Sequence, residues 1–410
     1  MRKWIVGLLI VCTASAAAHR RDTPGRDVVA WNTFTANLVA ENLPPGPQTY
    51  TLAIVQIAIH DALNAIDPRY ERYEFAGTAP GASVAAAVAA AAHDTLVQLV
   101  PQAAASVAAQ YMAALSTVPE GTAKNMGIAT GQAAATAILA RRNGDDLAAA
   151  ITKPYVPGPP NPGVYQPTPP LNVVLLAGWS ELRPFAITSA SQYRPPTPPS
   201  IKSVEYAIEF NEVRRKGSHE SRSRTAEQTE IALFWYPAAT REWNVAAQKG
   251  LADVGADAWR AARTLAVLNI ALADAVIATF DAKYTFNYWR PITAIRAADS
   301  DGNAATRSDA SWEPLCETPP FPEYNSTHAA TAAAAAAVLA LELGDRHSFT
   351  VTSQNGASRR YNRFSAAAYE EGLSRIYCGI HFRTAMKMGF WQGSRIAHDI
   401  DEHLLRPTAD

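Results

Sequence analysis

The 410-residue sequence predicts an all-α protein built from two packed helical bundles. Apolar residues recur at the three- and four-residue spacing of helices over most of the chain, and several stretches are rich in alanine, the strongest helix former. No alternating apolar pattern of useful length indicates strands. Because each such helix must bury its apolar face, the helices are expected to pack against one another in bundles.

Residues 1–18 have the pattern of a cleavable signal peptide. A short positive region, Arg2 and Lys3, is followed by an apolar stretch at residues 4–11 and by small residues at 14–18. The apolar stretch is short for a bilayer span, which makes a membrane anchor the less favoured interpretation. We therefore expect a secreted or periplasmic protein, with no membrane span in the mature chain.

A proline-rich stretch at residues 154–200 separates the two predicted bundles and is expected to form an extended crossing segment. The N-terminal bundle is predicted at residues 27–153 and the C-terminal bundle at residues 201–406. In the first bundle, helices are expected at 28–66 (a helical pair), 82–116 and 122–142. In the second bundle, they are expected at 202–216, 224–236, 241–280, 291–297, 327–343, 358–377 and 383–404.

The net charge limits which molecules the protein can bind, and the cysteines offer one possible disulfide. A net charge of −1 gives the molecule no overall field that would attract nucleic acid or an anionic membrane, so an anion site must be built locally. Export would permit a disulfide between Cys316 and Cys378, although two buried free thiols fit the sequence equally well. The sequence leaves the oligomeric state open, and a homo-oligomer is compatible with it.

The first of three segments that point to chemistry ends at Pro291. Lys283 and Arg290 are seven residues apart, close to two helical turns, so we expect both to lie on one side of a helix. A solvated basic surface is the plain alternative. Against it stands a density of rings that a surface helix does not need: Phe280, Tyr284, Phe286, Tyr288 and Trp289.

The second segment precedes the alanine-rich helix predicted at 327–343. Asn325, Ser326 and Thr327 are residue types that cap helix N-termini, where free N–H groups and the helix dipole attract anions. His328, in the first turn, would face the same anion. Simple capping without a ligand is the alternative.

The third segment spans residues 374–381. Arg375 and His381 would not share a face of one continuous helix, but Gly379 supplies a break that can redirect the chain. A helix end with a buried histidine is the alternative. Together the three segments offer three cations, a helix N-terminus and two histidines, which is the donor set that a tetrahedral oxyanion requires.

The order of these motifs resembles the superfamily of vanadium-dependent haloperoxidases and type 2 phosphatidic acid phosphatases. The motifs are Lys-x6-Arg-Pro, Ser-x-His before a helix, and Ser-Arg-x5-His, and they cover residues 280–385. Residues 184–189 and 225–230 are similar to bacterial haloperoxidase-like members. The resemblance implies a vanadium haloperoxidase-like pair of helical bundles with vanadate as cofactor, in a site that phosphate can also occupy.

The resemblance also implies roles for the motif residues. His381 would bond to the vanadium of vanadate, His328 would be the acid–base group, and Lys283 would also polarise the bound peroxide. Two aromatic residues, Phe280 and Phe321, are the candidates for the halide site. The oxygens of the oxyanion would be held by Lys283, Arg290, Arg375, the Ser326 hydroxyl and the backbone N–H of Thr327.

Two departures from the family pattern affect the backbone turn before His328 and the hydrogen-bond partner of His381. The usual Pro-Ser-Gly-His reads Asn-Ser-Thr-His here, and the Cβ of Thr327 restricts the turn. The acidic residue usually found four places after the last histidine is Ala385, so His381 needs another partner, for which we expect a backbone carbonyl. Glu209 and Glu212 are candidates for a buried carboxylate beside an active-site arginine.

We expect a haloperoxidase, in which vanadate activates hydrogen peroxide and halide is oxidised to hypohalous acid that reacts with a small organic acceptor. The first alternative is an acid phosphatase, in which His381 attacks phosphorus and His328 protonates the leaving oxygen. The second alternative is a non-catalytic helical protein that binds phosphate. The long chain with its additional N-terminal half favours the haloperoxidase, as do Phe280 and Phe321.

Overall fold

The computed structural model describes residues 25–408, so the predicted signal peptide at residues 1–18 lies outside the described residues. Helices dominate the described part of the chain, and the prediction of an all-α fold is confirmed. The N-terminal half contains α1 (Arg26–Asn42), α2 (Pro45–Ile66), α3 (Val84–Leu99), α4 (Ala104–Ser116), α5 (Thr122–Arg141) and α6 (Leu147–Thr152). The C-terminal half contains α7 (Val204–Lys216), α8 (Ala226–Phe234), α9 (Thr240–Asp253), α10 (Ala258–Phe286), α11 (Pro291–Arg296), α12 (Thr327–Leu343), α13 (Phe364–Tyr377) and α14 (Arg383–His403).

A short β-hairpin lies between α12 and α13. β1 (Phe349–Thr352) pairs antiparallel with β2 (Ser358–Tyr361). The helix predicted at 358–377 is therefore wrong over its first residues, and α13 begins only at Phe364. β1 does alternate buried and exposed residues, but four positions are too few for that pattern to be recognised in a sequence.

The two bundles share α10 as a common element. The helix predicted at 241–280 is in fact two helices, α9 and α10, because the chain turns at Gly255 (φ 60°) and Asp257 then caps the start of α10. Helix α10 packs against α2 in the N-terminal half and against α12 and α14 in the C-terminal half. One hydrophobic core therefore runs through both halves.

By length and composition, α10 could cross a bilayer. The sequence analysis did not single out this stretch as a candidate membrane span. In its most apolar window 94% of the residues are buried inside the protein, as in a core helix. Within residues 25–408 it is the one single helix that is long and apolar enough to cross a bilayer. Residues 84–99 and 101–116 meet the same criterion only when they are taken together, and the chain bends by 119° between them.

The start of α12 is held in place by α14. A Cβ atom at Gly393 of α14 would lie 2.0 Å from the carbonyl oxygen of Ala330, so the two helices are too close for a larger residue. The backbone N–H of Ser326 donates to the carbonyl of Ala385 at 3.1 Å. These contacts fix the N-terminus of α12, where the second predicted motif lies.

The crossing segment at residues 154–200 runs beside the end of α10. The backbone N–H of Tyr165 donates to the carbonyl of Asn287 at 2.9 Å, and that of Leu175 donates to the carbonyl of Pro320 at 3.0 Å. The segment therefore packs on the two loops that carry the first and second motifs.

The two cysteines of the C-terminal half form a disulfide. Cys316 and Cys378 are bonded to each other, and both are buried. The sequence left open a disulfide or two buried free thiols, and the structure has the disulfide. It ties the loop that precedes α12 to the end of α13, close to the third motif.

Candidate oxyanion-binding site

Lys283 lies in the last turn of α10 and is fully buried. Its Nζ donates to the backbone carbonyls of Pro322 (3.1 Å), Glu323 (3.1 Å) and Asn325 (2.5 Å). Burial, and then the charge of Arg290, lower the pKa of Lys283 well below its ordinary value. The lysine thus joins the end of α10 to the loop that leads into α12.

Arg290 lies in the same site as Lys283, but for a different structural reason from the one predicted. The expectation that it shares a helix face with Lys283 is wrong, because α10 ends at Phe286 and Asn287 follows in the left-handed conformation (φ 48°). Arg290 is instead the residue before Pro291, the first residue of α11. The two cations meet because the chain turns back, and not because of helical spacing.

The guanidinium of Arg290 is fully buried and contacts two other segments of the site. Its Nε donates to the carbonyl of Phe321 at 2.8 Å, and its Nη1 donates to the carbonyl of Ile380 at 2.8 Å. Nη1 also lies 3.2 Å from Nε2 of His381. Within the described part of the chain, Nη2 is buried without a hydrogen-bond partner. Burial lowers the pKa of Arg290 to about 10.

The N-terminus of α12 forms the second side of the site. Ser326 is the capping residue, and its hydroxyl accepts a hydrogen bond from the backbone N–H of Ala329 at 3.4 Å. The hydroxyl of Thr327 lies 3.1 Å from that of Thr279. His328 Nε2 lies 3.2 Å from the carbonyl of Pro237. Burial, and then Arg375, lower the pKa of His328 well below its ordinary value, so the imidazole is neutral near pH 7.

Arg375 and His381 approach the site from either side of a sharp turn. Arg375 lies in the last turn of α13, and its Nη1 donates to the carbonyl of Trp235 at 3.0 Å, while its Nε is buried without a partner among the described residues. Gly379 then has a φ of 82°, and a Cβ there would lie 2.4 Å from the carbonyl oxygen of Gly217. The predicted break at Gly379 is confirmed, and it lets both side chains face the same site.

His381 has a carboxylate partner that the sequence analysis missed. Its Nδ1 lies 3.0 Å from Glu323 Oε1, which also accepts the backbone N–H of Phe382 at 2.8 Å. The expected backbone carbonyl is therefore wrong. Glu323 is fully buried, and burial raises its pKa to about 8. A carboxylate between Pro322 and Tyr324, in an otherwise apolar stretch, was the available signal.

The contacts of His381 fix its tautomer. A guanidinium N–H can only donate, so Nε2 beside Arg290 is the unprotonated ring nitrogen, and its lone pair accepts that N–H. The ring proton is then on Nδ1 and points to Glu323. Burial and the neighbouring cations lower the pKa of His381 well below its ordinary value, which agrees with a neutral ring. Its Nε2 lone pair is therefore directed towards the cationic side of the site.

The two glutamates proposed as partners of an active-site arginine lie elsewhere. Glu212 forms a bidentate pair with Arg383, at 2.6 and 2.7 Å, and Glu209 accepts the hydroxyl of Thr384. That prediction is wrong. The buried carboxyl group that acts on the charge of Arg375 is Glu371, one turn earlier on α13.

A cavity of about 400 Å³ adjoins these groups. The two halide-site candidates, Phe280 and Phe321, both line it, with their ring centroids 5.0 Å apart at an interplanar angle of 69°. Lys283 Nζ lies 5.2 Å from the centroid of the Phe321 ring, and Cζ of Arg290 lies 5.1 Å from it. The structure thus brings both aromatic residues to the edge of the cationic cluster.

The donor set suits a tetrahedral oxyanion. The unpartnered N–H groups of Arg290 and Arg375 and the start of α12 are donors that such an anion could satisfy, and leaving them unsatisfied is costly in a buried site. Among residues 25–408 no group of three or more His, Cys, Asp or Glu side chains is placed to hold a metal ion. Buried guanidinium and ammonium groups would repel a bare cation, so a metal would enter this site as an oxyanion.

Comparisons with known proteins agree with the predicted resemblance. Residues 263–409 match the family model of the VCPO second helical-bundle domain. The fold is similar to that of the first bacterial vanadium-dependent iodoperoxidase, with a TM-score of 0.79 and 26% sequence identity, over 94% of this chain and 98% of that chain.

Two further solved structures share the fold. The holo-type bacterial vanadium-dependent chloroperoxidase has a TM-score of 0.72 and 16% identity, over 89% of this chain and 93% of that chain. The apo-type bacterial vanadium-dependent chloroperoxidase has a TM-score of 0.71 and 16% identity, over 86% and 92%. A search of curated proteins gives no match.

The C-terminal part of the chain thus matches the VCPO second helical-bundle domain, and the whole chain has the fold of the bacterial vanadium haloperoxidases. The predicted resemblance to these haloperoxidases is confirmed.

Proposed function

We propose that the protein is a vanadate-dependent haloperoxidase that uses hydrogen peroxide to oxidise halide to hypohalous acid. The observation that carries the proposal is the buried cluster of Lys283, Arg290 and Arg375 at the start of α12, with unpartnered N–H groups on both arginines. The likeness in fold to an iodoperoxidase and a chloroperoxidase that depend on vanadium supports it.

Vanadate fits this donor set, and we assign its ligands among the residues described. The two arginines would bind its oxygens, together with the Ser326 hydroxyl and the backbone N–H of Thr327, and Lys283 would do so on releasing one of its three bonds to backbone carbonyls. The lone pair of His381 Nε2, which accepts the N–H of Arg290 Nη1 in this structure, would supply the bond to vanadium when Arg290 turns to the anion. When bound, vanadate supplies a Lewis acid that activates hydrogen peroxide.

The side chains around the anion would then accept, hold and donate the protons of the reaction. His328 is neutral and lines the cavity, so it can accept a proton from an incoming peroxide molecule. Glu323 would keep the proton of His381 on Nδ1 and so keep Nε2 available. Lys283, held by its bonds to backbone carbonyls, would place its positive charge near the reacting oxygens, and Phe280 and Phe321 would exclude water at the halide site.

The test compares two activities on one sample of the full chain. Peroxide-dependent oxidation of iodide, bromide and chloride is measured with and without added vanadate, beside hydrolysis of a chromogenic phosphate ester. We expect vanadate-dependent halide oxidation, with iodide tested first because of the iodoperoxidase fold. His381→Ala should abolish it. Ester hydrolysis blocked by vanadate would instead identify a phosphatase, and phosphate binding without either activity would identify a binding protein.

We also propose that the chain is exported and that residues 1–18 are removed. The basis is the positive, apolar and small-residue regions in that order. N-terminal sequencing of the protein recovered outside the cytoplasm would test it. A mature protein that still begins at Met1 would contradict cleavage.

A further inference from the structure

The cavity beside the oxyanion site is larger than the proposed inorganic substrates require. Its volume of about 400 Å³ compares with roughly 30 Å³ for one water molecule and falls in the range of small-molecule pockets, about 300–1,000 Å³. Three residues belong both to its lining and to the oxyanion site: Thr327, His328 and Arg375. A molecule in the cavity would therefore lie directly against the accessible end of the site.

The walls of the cavity are predominantly apolar. They are formed by the prolines at the start of α2, the crossing segment around Leu175, one side of α10, the segment at residues 236–243, and the loop at residues 317–321, which contributes the acidic Glu317. Two wall hydroxyls are already bonded to their own helices. Thr49 donates to the carbonyl of Gly46 at 2.9 Å, and Thr331 donates to the carbonyl of Thr327 at 3.0 Å. Such walls offer little to a hydrated ion and suit an apolar ligand.

We propose that this cavity binds an apolar, electron-rich organic molecule and presents it at His328 and Arg375, where it is halogenated on the protein. The inference rests on the proposed function. Halide supplies two electrons to hydrogen peroxide, whose O–O bond breaks and whose oxygens leave as water. A carbon–halogen bond forms as a carbon–hydrogen bond breaks and its hydrogen leaves as a proton. The balance is R–H + X⁻ + H2O2 + H⁺ → R–X + 2 H2O.

The first measurement is direct binding, which needs no turnover. The probe is 1,3,5-trimethoxybenzene, titrated by calorimetry into the full chain. Leu175→Trp fills the cavity from a half-buried wall position and leaves the backbone hydrogen bond to Pro320 in place. Leu171→Trp is the matched control, since Leu171 is exposed, lies in the same segment and is not part of the lining. We expect Leu175→Trp to weaken binding on the order of tenfold and the control to bind as wild type does.

The second measurement is a competition between acceptors. The vanadate-loaded protein is given 1,3,5-trimethoxybenzene together with the charged 4-hydroxybenzenesulfonate, and the ratio of products is compared with that from free hypohalous acid. We expect wild type and Leu171→Trp to favour the apolar acceptor. Leu175→Trp should return the ratio to that of the free reagent, while its oxidation of iodide to triiodide, which needs no acceptor, changes less than about twofold.

The outcomes separate this inference from the function on which it rests. Absence of vanadate-dependent triiodide formation in wild type would overturn the proposed function. Triiodide formation without binding of the probe, or with a product ratio equal to that of free hypohalous acid, would overturn the acceptor site alone. Equal binding by Leu175→Trp and wild type would overturn it as well.

Discussion

Nδ1 of His381 lies 3.0 Å from Oε1 of Glu323, a residue 58 positions away in sequence. The carboxylate also accepts the backbone N–H of the next residue, Phe382, so it holds both the ring and the main chain of this turn. Glu323 is in turn connected to α10, because its own carbonyl accepts a hydrogen bond from Lys283. The pair thus links the second and third motifs.

Substitution of Glu323 should weaken anion binding without unfolding the protein. Glu323→Gln keeps an acceptor but cannot ionise, so at pH 9, above the Glu323 pKa of about 8, we expect vanadate affinity to fall about 10–100-fold, as for other residues that orient metal-bound histidines. Glu323→Ala should lose more. Calorimetric titration with vanadate measures the affinity, and Glu313→Gln, at an exposed position in the loop before α12 and outside the cavity lining, is the control. Wild-type affinity in Glu323→Ala would show that the pair does not position His381.

Protonation of His328 should oppose folding at acidic pH. Burial lowers its pKa well below 6.5, so below pH 6.5 the unfolded chain binds a proton at this position that the folded chain does not. The contribution of His328 to the free energy of unfolding therefore decreases as the pH falls from 6.5 towards the folded pKa. Relative to His328→Asn, wild type should lose up to about 1.4 kcal/mol per pH unit in that window.

Urea denaturation of the anion-free proteins at about pH 7.5, 6.5 and 5.5 measures this difference. The comparison between variants is necessary because Glu323, whose pKa is raised to about 8, changes stability in the opposite direction. His219→Asn, at an exposed position, is the control. A constant difference between wild type and His328→Asn across the three pH values would contradict the prediction.

Removal of the disulfide should loosen the third motif. The bridge closes a sequence separation of 62 residues, and replacing both Cys316 and Cys378 by serine should lower the free energy of unfolding by about 2–5 kcal/mol. Vanadate affinity should fall too, because Cys378 lies three residues from both Arg375 and His381. Denaturation with and without reductant measures the effect, and the variant with serine at both positions should not respond to reductant. Equal stability of the two proteins would refute a stabilising role.

Gly379→Ala should destabilise the protein more than Gly356→Ala. Both glycines have a φ near 85°, so both substitutions carry the backbone cost of the left-handed region, about 1 kcal/mol. Only at Gly379 would the new Cβ also meet a backbone oxygen, 2.4 Å away, whereas nothing lies within 4 Å at Gly356. We expect Gly379→Ala to cost about 1–3 kcal/mol more in a denaturation experiment. Similar losses in both variants would show that the turn can move apart.

Local features of the sequence were sufficient to predict most helices and the placement of the motifs. Ser326 caps α12 because a short polar residue precedes a run of helix formers, and Gly379 redirects the chain because no other residue tolerates that conformation easily. Both are properties of a few neighbouring residues. They are therefore visible without knowledge of tertiary contacts.

The parts that were missed depend on tertiary contacts. The end of α10 at Phe286 requires Asn287 to adopt a left-handed conformation, which is one of several that asparagine allows. The pairing of Glu323 with His381, and the contact of Arg375 with the carbonyl of Trp235, join residues far apart in sequence. No single-sequence pattern indicates which distant partner a buried carboxylate or guanidinium will take.

Helix α10 makes the two halves of the molecule dependent on each other for folding. It is buried almost throughout, and one of its sides is covered by α2 and α1 from the N-terminal half. A fragment that began at residue 201 would expose that apolar side to water and so would aggregate on expression. Lys283 lies in the last turn of the same helix, so we expect substitutions in α1 and α2 that disturb the position of α10 to lower anion affinity as well.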